Sequence, residues 1–142
     1  MKIIAGALSI ESHEKLQLTD ISRRVRDWVK ETNIHKGLLN LFSLHTTAVL
    51  VLNENQDALL EDIREFLRKI VDDRARYKHN SPEFSDCDRH NATSHLRSLL
   101  LNQSLSFQIA GGEIILGRFQ SVLFVELDGP QERKLQMQVM GE

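Results

Sequence analysis

Two consecutive apolar runs, separated only by His45 and Thr46, restrict the folds open to this chain more than any other feature. The first run is 38–44 and the second is 47–52. Both are rich in bulky and β-branched residues, and the second lacks the alternation that a half-exposed strand shows. We therefore expect two central strands covered on both faces, with an imidazole at the turn between them.

Extended segments at both ends of the chain predict a structure rich in sheets. Their residues alternate or cluster as strands do, and glycines separate the later ones. These further strands are predicted at 2–10, 15–18, 104–110, 113–116, 121–127 and 133–140. The first two are expected to pair as an opening hairpin.

Three helices are predicted from apolar residues at helical spacing. The first begins at Thr19 or Asp20, the second at Asp57 and the third after an Asn91 cap. The apolar stripe of the second helix is Leu59, Ile63, Phe66, Leu67 and Ile70. Strands at both ends with helices between them predict an α+β fold, in which mostly antiparallel sheets pack as a sandwich with about three helices.

Length and charge limit the function classes. The 142 residues suit one domain, 1–142. The chain has 18 basic and 20 acidic side chains, so no large positive field exists to hold nucleic acid. No apolar segment approaches the roughly 18 residues of a membrane span. The apolar N-terminus is too short for a signal peptide, and the single Cys87 suits a reducing compartment, so we expect a cytoplasmic protein.

Three histidines lie on three separate elements and are able to converge on one site. His45 ends a strand, His79 lies in the long polar connection 74–90, and His95 falls in the first turn of the third helix. Neutral imidazoles bind zinc at about 2.0–2.1 Å, with carboxylates or water completing the shell. The spacing matches no recognised ligand motif, so a hydrogen-bonded or surface imidazole is the alternative for each.

Phosphate is a second ligand that the residues could support. Residues 91–95 place backbone N–H groups, the Ser94 hydroxyl and an imidazole at a helix N-terminus, where the helix dipole favours anions. Thr46 adds a hydroxyl donor.

Glu54 follows a strand directly and could hold hydrated magnesium or act as an acid or base. Glu126 interrupts an apolar run and must point to water, to Arg133 or to a partner subunit.

Six segments together resemble the YjbQ family. They occur in order over nearly the whole chain and are Leu41–Ala48, Leu52–Asn55, Tyr77–Asn80, Ser94–Leu96, Gly117–Gln120 and Glu126–Pro130. The resemblance implies a small α+β fold of packed antiparallel sheets that assembles as a homotrimer. It also implies thiamine-phosphate synthase activity, which some members are said to have: an aminopyrimidine methyl diphosphate is coupled to a thiazole phosphate with release of pyrophosphate.

Residues and resemblance together predict one active site. The predicted catalytic residues are His45, Glu54, His79 and His95, and the predicted metal ligands are His45, His79 and His95. The predicted cofactor-binding residues are Thr46, Asn53, Ser94 and Gln120. We expect zinc or magnesium as the cofactor and a small phosphorylated molecule as the partner. The alternatives are a non-catalytic homotrimer that binds metal or phosphate, and a structural or interaction protein.

Overall fold

Two antiparallel sheets dominate the computed structural model, which describes residues 1–142. The five-stranded sheet contains, in spatial order, Lys2–Glu11 (β1), Glu132–Gly141 (β8), Lys36–Ser43 (β3), Ser104–Ala110 (β5) and Glu113–Ile114 (β6). The three-stranded sheet contains Gln17–Asp20 (β2), Ser121–Glu126 (β7) and Ala48–Asn53 (β4). The helices are Ser22–Glu31 (α1), Asp57–Ile70 (α2) and Ala92–Ser98 (α3). The predicted α+β class is confirmed.

The first two strands do not form the expected hairpin. β1 pairs with β8 over ten positions, from Lys2 opposite Gly141 to Glu11 opposite Glu132. β2 pairs with β7 in the other sheet. The four-residue β2 could pair with less than half of the ten residues of β1, whereas β8 pairs with all ten. The prediction from local sequence was therefore wrong about this pairing.

The three-stranded sheet is the middle layer of the structure. On one face, Val122 and Phe124 of β7 join the main core, which also contains Val25 of α1 and the inner face of the larger sheet. On the other face, Leu123 and Val125 pack with residues that include Leu67 of α2. Because side chains alternate between the faces of a strand, a strand covered on both sides reads as continuously apolar.

The larger sheet is covered on one face only. The prediction that both apolar runs are covered on both faces holds for Ala48–Leu50 but is wrong for β3, where Leu38 and Phe42 are 53% and 45% exposed. They belong to three cross-strand rows, which we call the outer face: Ile3, Met140, Leu38 and Gln108; Ala5, Gln138, Asn40 and Ser106; Ala7, Gln136, Phe42 and Ser104. All of these residues are exposed and none carries a charge.

A buried ion pair joins the two sheets where the chain passes from β7 to β8. Arg133 donates from Nε to Glu126 Oε1 at 2.8 Å and from a terminal nitrogen to Oε2 at 2.5 Å. The same guanidinium reaches Thr47 Oγ1 at 2.9 Å, and the Ser12 hydroxyl donates to Glu126 at 2.7 Å. Of the three directions predicted for Glu126, the structure selects Arg133.

The pair keeps Glu126 ionised. Burial alone would raise the pKa of this carboxyl, but hydrogen bonds from Arg133 and Ser12 outweigh burial and lower the pKa below its ordinary value of 4.5. A carboxyl whose folded pKa is lowered stabilises the fold above its unfolded pKa. That stabilisation is lost as the pH falls through the lower, folded value.

Helix α2 covers the outer side of the smaller sheet through few residues. Only Leu67 is fully buried, whereas Phe66 is 58% and Ile70 is 37% exposed. Arg97 of α3 holds the end of α2 by donating to the carbonyl oxygens of Leu67 at 2.6 Å and Val71 at 3.0 Å. None of the helices is long and apolar enough to cross a membrane.

The adjacent residues Leu67 and Phe66 provide a test of this packing. We expect Leu67→Ala to lower the free energy of unfolding by about 2–5 kcal/mol, because it leaves a cavity in the core. Phe66→Ala removes a larger side chain but is expected to change stability by less than about 0.5 kcal/mol. Urea unfolding of both variants measures the difference. Equal effects would show that the two side chains are packed alike.

Removal of Arg133 tests the ion pair between the sheets. Arg133→Met is expected to cost about 3–5 kcal/mol at neutral pH, because it leaves the Glu126 carboxylate buried and unpaired. The loss should shrink as the pH falls, because the buried, unpaired carboxyl of the variant takes up a proton more readily than an ordinary carboxyl does. Urea unfolding across roughly pH 3–7, a range that brackets an ordinary carboxyl pKa, measures both effects.

The control is Arg23→Met, since Arg23 is 94% exposed and its nitrogen lies 4.0 Å from Asp27. That variant should lose less than about 1 kcal/mol. A pH-independent loss in Arg133→Met would contradict the assignment to the ion pair.

Candidate functional site

Asp128, two residues beyond β7, is the centre of a polar network on the helix side of the structure. Its side chain is only 2% exposed. It accepts hydrogen bonds from Lys15 Nζ, from Arg89 Nε at 2.7 Å and from Asn91 Nδ2 at 2.9 Å. Burial alone would raise the pKa of Asp128, but these hydrogen bonds outweigh it and lower the pKa. Asp128 is therefore a buried negative charge at neutral pH.

Asn91 connects this charge to a histidine. Its Oδ1 lies 3.1 Å from Nε2 of His79, which belongs to a short 3-10 turn at Lys78–Asn80. The sequence predicts Asn91 as the N-cap of α3, but its side chain makes no cap bond. Asn80 takes that role instead, because its Oδ1 accepts from the backbone N–H of Ala92 at 3.0 Å.

His79 and His95 meet at the mouth of an open cavity. Their ring centroids are 4.9 Å apart and the rings are nearly perpendicular, at 87°. The cavity has a volume of about 340 Å³ and is lined by Tyr77, Lys78, His79, Ala92, His95 and Leu96. A larger cleft of about 410 Å³ adjoins Arg97 and Lys15, whose charges are already paired with Asp73 and Asp128. The histidine cavity is thus the better candidate for a ligand.

The electrostatics of the cavity favour a neutral His95. Burial and the neighbouring His79 lower the pKa of His95 below its ordinary value of 6.5. The Lys78 ammonium lies 5.4 Å from the centroid of the Phe84 ring, a cation–π contact directed at that ring. Near neutral pH the cavity therefore combines apolar walls with an uncharged His95 ring.

The predicted three-histidine metal site is absent. His45 lies beside Arg133, and its Nε2 accepts from the backbone N–H of Lys134 at 2.9 Å. Burial, followed by the Arg133 charge, lowers the pKa of His45. No group of three or more His, Cys, Asp or Glu side chains is arranged to hold a metal ion. The prediction of His45, His79 and His95 as zinc or magnesium ligands is therefore wrong.

The helix N-terminus that was predicted to bind phosphate is already occupied by the protein. The hydroxyl of Ser94 is fully buried and donates to the Leu127 carbonyl at 2.6 Å, and Asn80 takes the first N–H of α3. Neither group is available to an anion. The phosphate hypothesis failed because the periodicity of a helix does not reveal which side chains cap it.

The other predicted site residues are not among those that line the cavity of the paired histidines. Asn53 Oδ1 accepts from Glu54 N at 2.8 Å, and both residues are exposed. Gln120 Oε1 accepts from Gly117 N at 2.8 Å and closes its own turn. Thr46 is exposed beside His45. Their predicted catalytic and cofactor-binding roles stay predictions.

Sequence reasoning missed Asp128 and Arg89. Asp128 follows an apolar run in the same way that Glu126 interrupts one, and a carboxylate in such a position is either exposed or paired. That signal was applied to Glu126 alone. Arg89 lies in the long polar connection, where no periodicity marks a residue that reaches back to the sheet.

Comparisons with known proteins show close relatives of the same length. The chain is 35% identical to a UPF0047 protein of Methanothermobacter thermautotrophicus, covering 100% of this chain and 95% of that protein. It is 30% identical to the UPF0047 protein YugU of Bacillus subtilis, covering 94% and 97%. A YbjQ-like protein of unknown function from Sulfolobus solfataricus superposes with a TM-score of 0.91 at 29% identity, covering 99% of both chains.

These relatives correct the predicted function. They are named only as UPF0047 proteins or as a protein of unknown function, and none of these names gives a reaction. With the metal site also absent, the prediction of a thiamine-phosphate synthase with a histidine metal or phosphate site is wrong. The alternative of a metal- or phosphate-binding trimer depended on the same site and has no support either.

The predicted family, in contrast, is confirmed over nearly the whole chain. The family described as UPF0047 protein YjbQ-like matches residues 6–142. This match and the relatives above agree with the six segments identified in the sequence. The chain belongs to the YjbQ-like UPF0047 family.

Proposed function

We propose that this protein binds a small, uncharged organic molecule with a flat ring in the cavity beside His79 and His95, without a metal. The observation that carries the proposal is the edge-to-face pair of imidazoles, 4.9 Å apart, at a cavity of about 340 Å³. Small-molecule sites commonly measure about 300–1,000 Å³ and combine apolar walls with a few placed polar groups.

The chemistry of the lining favours a neutral ligand. Ala92 and Leu96 supply apolar surface, and the imidazole faces are suited to contact with another ring. A bound anion would gain little from His95, because the lowered pKa leaves this imidazole uncharged near neutral pH. Aromatic or heteroaromatic compounds without formal charge therefore fit better than phosphates.

Phenol is a suitable probe of the cavity. Titration of the ¹⁵N-labelled protein should shift the amide and imidazole signals of His79 and His95, equally with and without EDTA. Inorganic phosphate should leave them unchanged. His95→Ala removes one aromatic wall and should cost about 1 kcal/mol, or roughly fivefold in Kd.

The matched control is His13→Ala, since His13 is exposed and is not among the cavity residues. It should bind phenol as the parent does. Absence of phenol-induced shifts at the two histidines, or binding that EDTA abolishes, would rule the proposal out.

We also propose that copies of this chain associate through the outer face, as the homotrimer implied by the family resemblance. The three uncharged rows support this, because 27% of the whole chain is charged. Burial of this face in the contact between neighbouring copies desolvates none of its own side-chain charges, since it has none, and its Gln, Asn and Ser side chains can hydrogen-bond across the contact. The rows cover roughly 400 Å² in projection, which suits the centre of an interface of about 800 Å² per partner.

Substitution of Phe42 tests this association. Phe42→Lys introduces a charge at the centre of a row and should convert the assembly to monomers in light scattering after gel filtration. Phe84→Lys is the control, because Phe84 is 60% exposed but lies outside the outer face. A parent protein that is monomeric at high micromolar concentration would refute the association, and equal assembly of both variants would refute this face.

A further inference from the structure

One ring nitrogen of His79 is committed to the protein and the other is open. Nε2 lies 3.1 Å from Asn91 Oδ1. Nδ1 has no hydrogen-bond partner within the chain, yet it is not sealed in the interior. Because neutral imidazole has one donor and one acceptor, the role of Nε2 determines what Nδ1 offers.

Two neighbours of Asn91 fix the orientation of its amide. Nδ2 lies 2.9 Å from Asp128 Oδ2, and an ionised carboxylate only accepts hydrogen bonds. The Cys87 thiol lies 3.8 Å from Oδ1 and donates weakly to the same oxygen. Oδ1 is therefore the acceptor that faces the histidine, and Nε2 must carry the proton.

The Asp128 carboxylate, which binds Asn91, is itself held in place. Arg89 donates to Asp128 from Nε at 2.7 Å and to its backbone oxygen at 3.0 Å. Lys15 binds the other carboxylate oxygen. With Asp128 charged and fixed, a rotated Asn91 amide would place its oxygen against a carboxylate oxygen, which is strongly unfavourable.

His95, in contrast, makes no side-chain hydrogen bond within the chain, so no neighbour selects its tautomer.

We infer that the neutral form of His79 presents Nδ1 to the cavity as a hydrogen-bond acceptor, so that the site selects ring compounds carrying an O–H or N–H donor. This inference rests on the proposed small-molecule site and specifies the class of its ligand. Asn91 acts here as a positioning residue, because it sets the tautomer of His79. A buried acceptor without a donor is costly, so a ligand that lacks the donor should bind less tightly.

Phenol and toluene form a matched pair for the test, since they differ by a hydroxyl and a methyl group of similar size. Toluene is the more apolar, so any preference for phenol must come from hydrogen bonding. We expect phenol to bind about tenfold more tightly, as for one buried hydrogen bond. The ¹⁵N shifts of the His79 ring in the free protein should show the proton on Nε2.

Asn91→Leu should remove both signatures: the tautomer preference of His79 and most of the preference for phenol. Asn55→Leu is the control, because Asn55 also donates to an aspartate carboxylate, that of Asp20, at 2.9 Å, but in an exposed turn. It should leave both measurements unchanged. If Asn91→Leu does not fold, the tautomer measurement on the parent protein still decides the point.

The outcomes separate this inference from the proposed function. A proton on Nδ1 of His79 overturns the inference. Equal binding of phenol and toluene at the cavity also overturns it but leaves the proposed function standing. Failure of both compounds to bind overturns the proposed function, and with it the selection of donors.

Discussion

The buried contact between Glu126 and Arg133 is the constraint on which the rest of the structure depends. It links the middle layer to the larger sheet at the point where the chain passes from β7 to β8. Such a pair contributes little net stability relative to apolar residues, because desolvation of both charges offsets their attraction. Its contribution here is geometric: Glu126 Oε2 also accepts from the backbone N–H of Asp128 at 3.0 Å and so shapes the turn.

A series of hydrogen bonds connects the Glu126–Arg133 pair to the cavity through that turn. Asp128 leaves the sheet in a fixed position, binds Asn91, and Asn91 in turn binds His79. Each polar group along this series has a partner except those that face the cavity. Networks of this kind are rigid when fully satisfied, because any rotation leaves a buried group unpaired. The cavity thus receives a pre-oriented ring without any metal to hold it.

Local patterns predicted the elements well, and distant pairings poorly. Helical periodicity located the three helices, and the strands follow their alternation. The partner of β1 lies more than a hundred residues away in β8, and no local signal identifies it. The predicted apolar stripe on α2 included both Phe66 and Leu67, but only Leu67 is buried against the sheet.

The contrast between local patterns and distant contacts also explains which site residues were predicted correctly. His79 and His95 were identified because histidines beside amides and hydroxyls stand out in the sequence, and they do meet. His45 was grouped with them on chemistry alone, yet it belongs to the other end of the network. Asn91 was interpreted as a cap because caps are local. Its contact with Asp128 spans 37 positions and requires the folded turn.

Strand β7 has hydrogen-bonded neighbours on both edges and apolar layers on both faces. Water therefore has no direct route to its backbone. Any motion that exposes its amide groups must separate the larger sheet or the helices from the middle layer. The two cores on either side of the strand are thereby coupled, and the molecule should unfold as one cooperative unit rather than layer by layer.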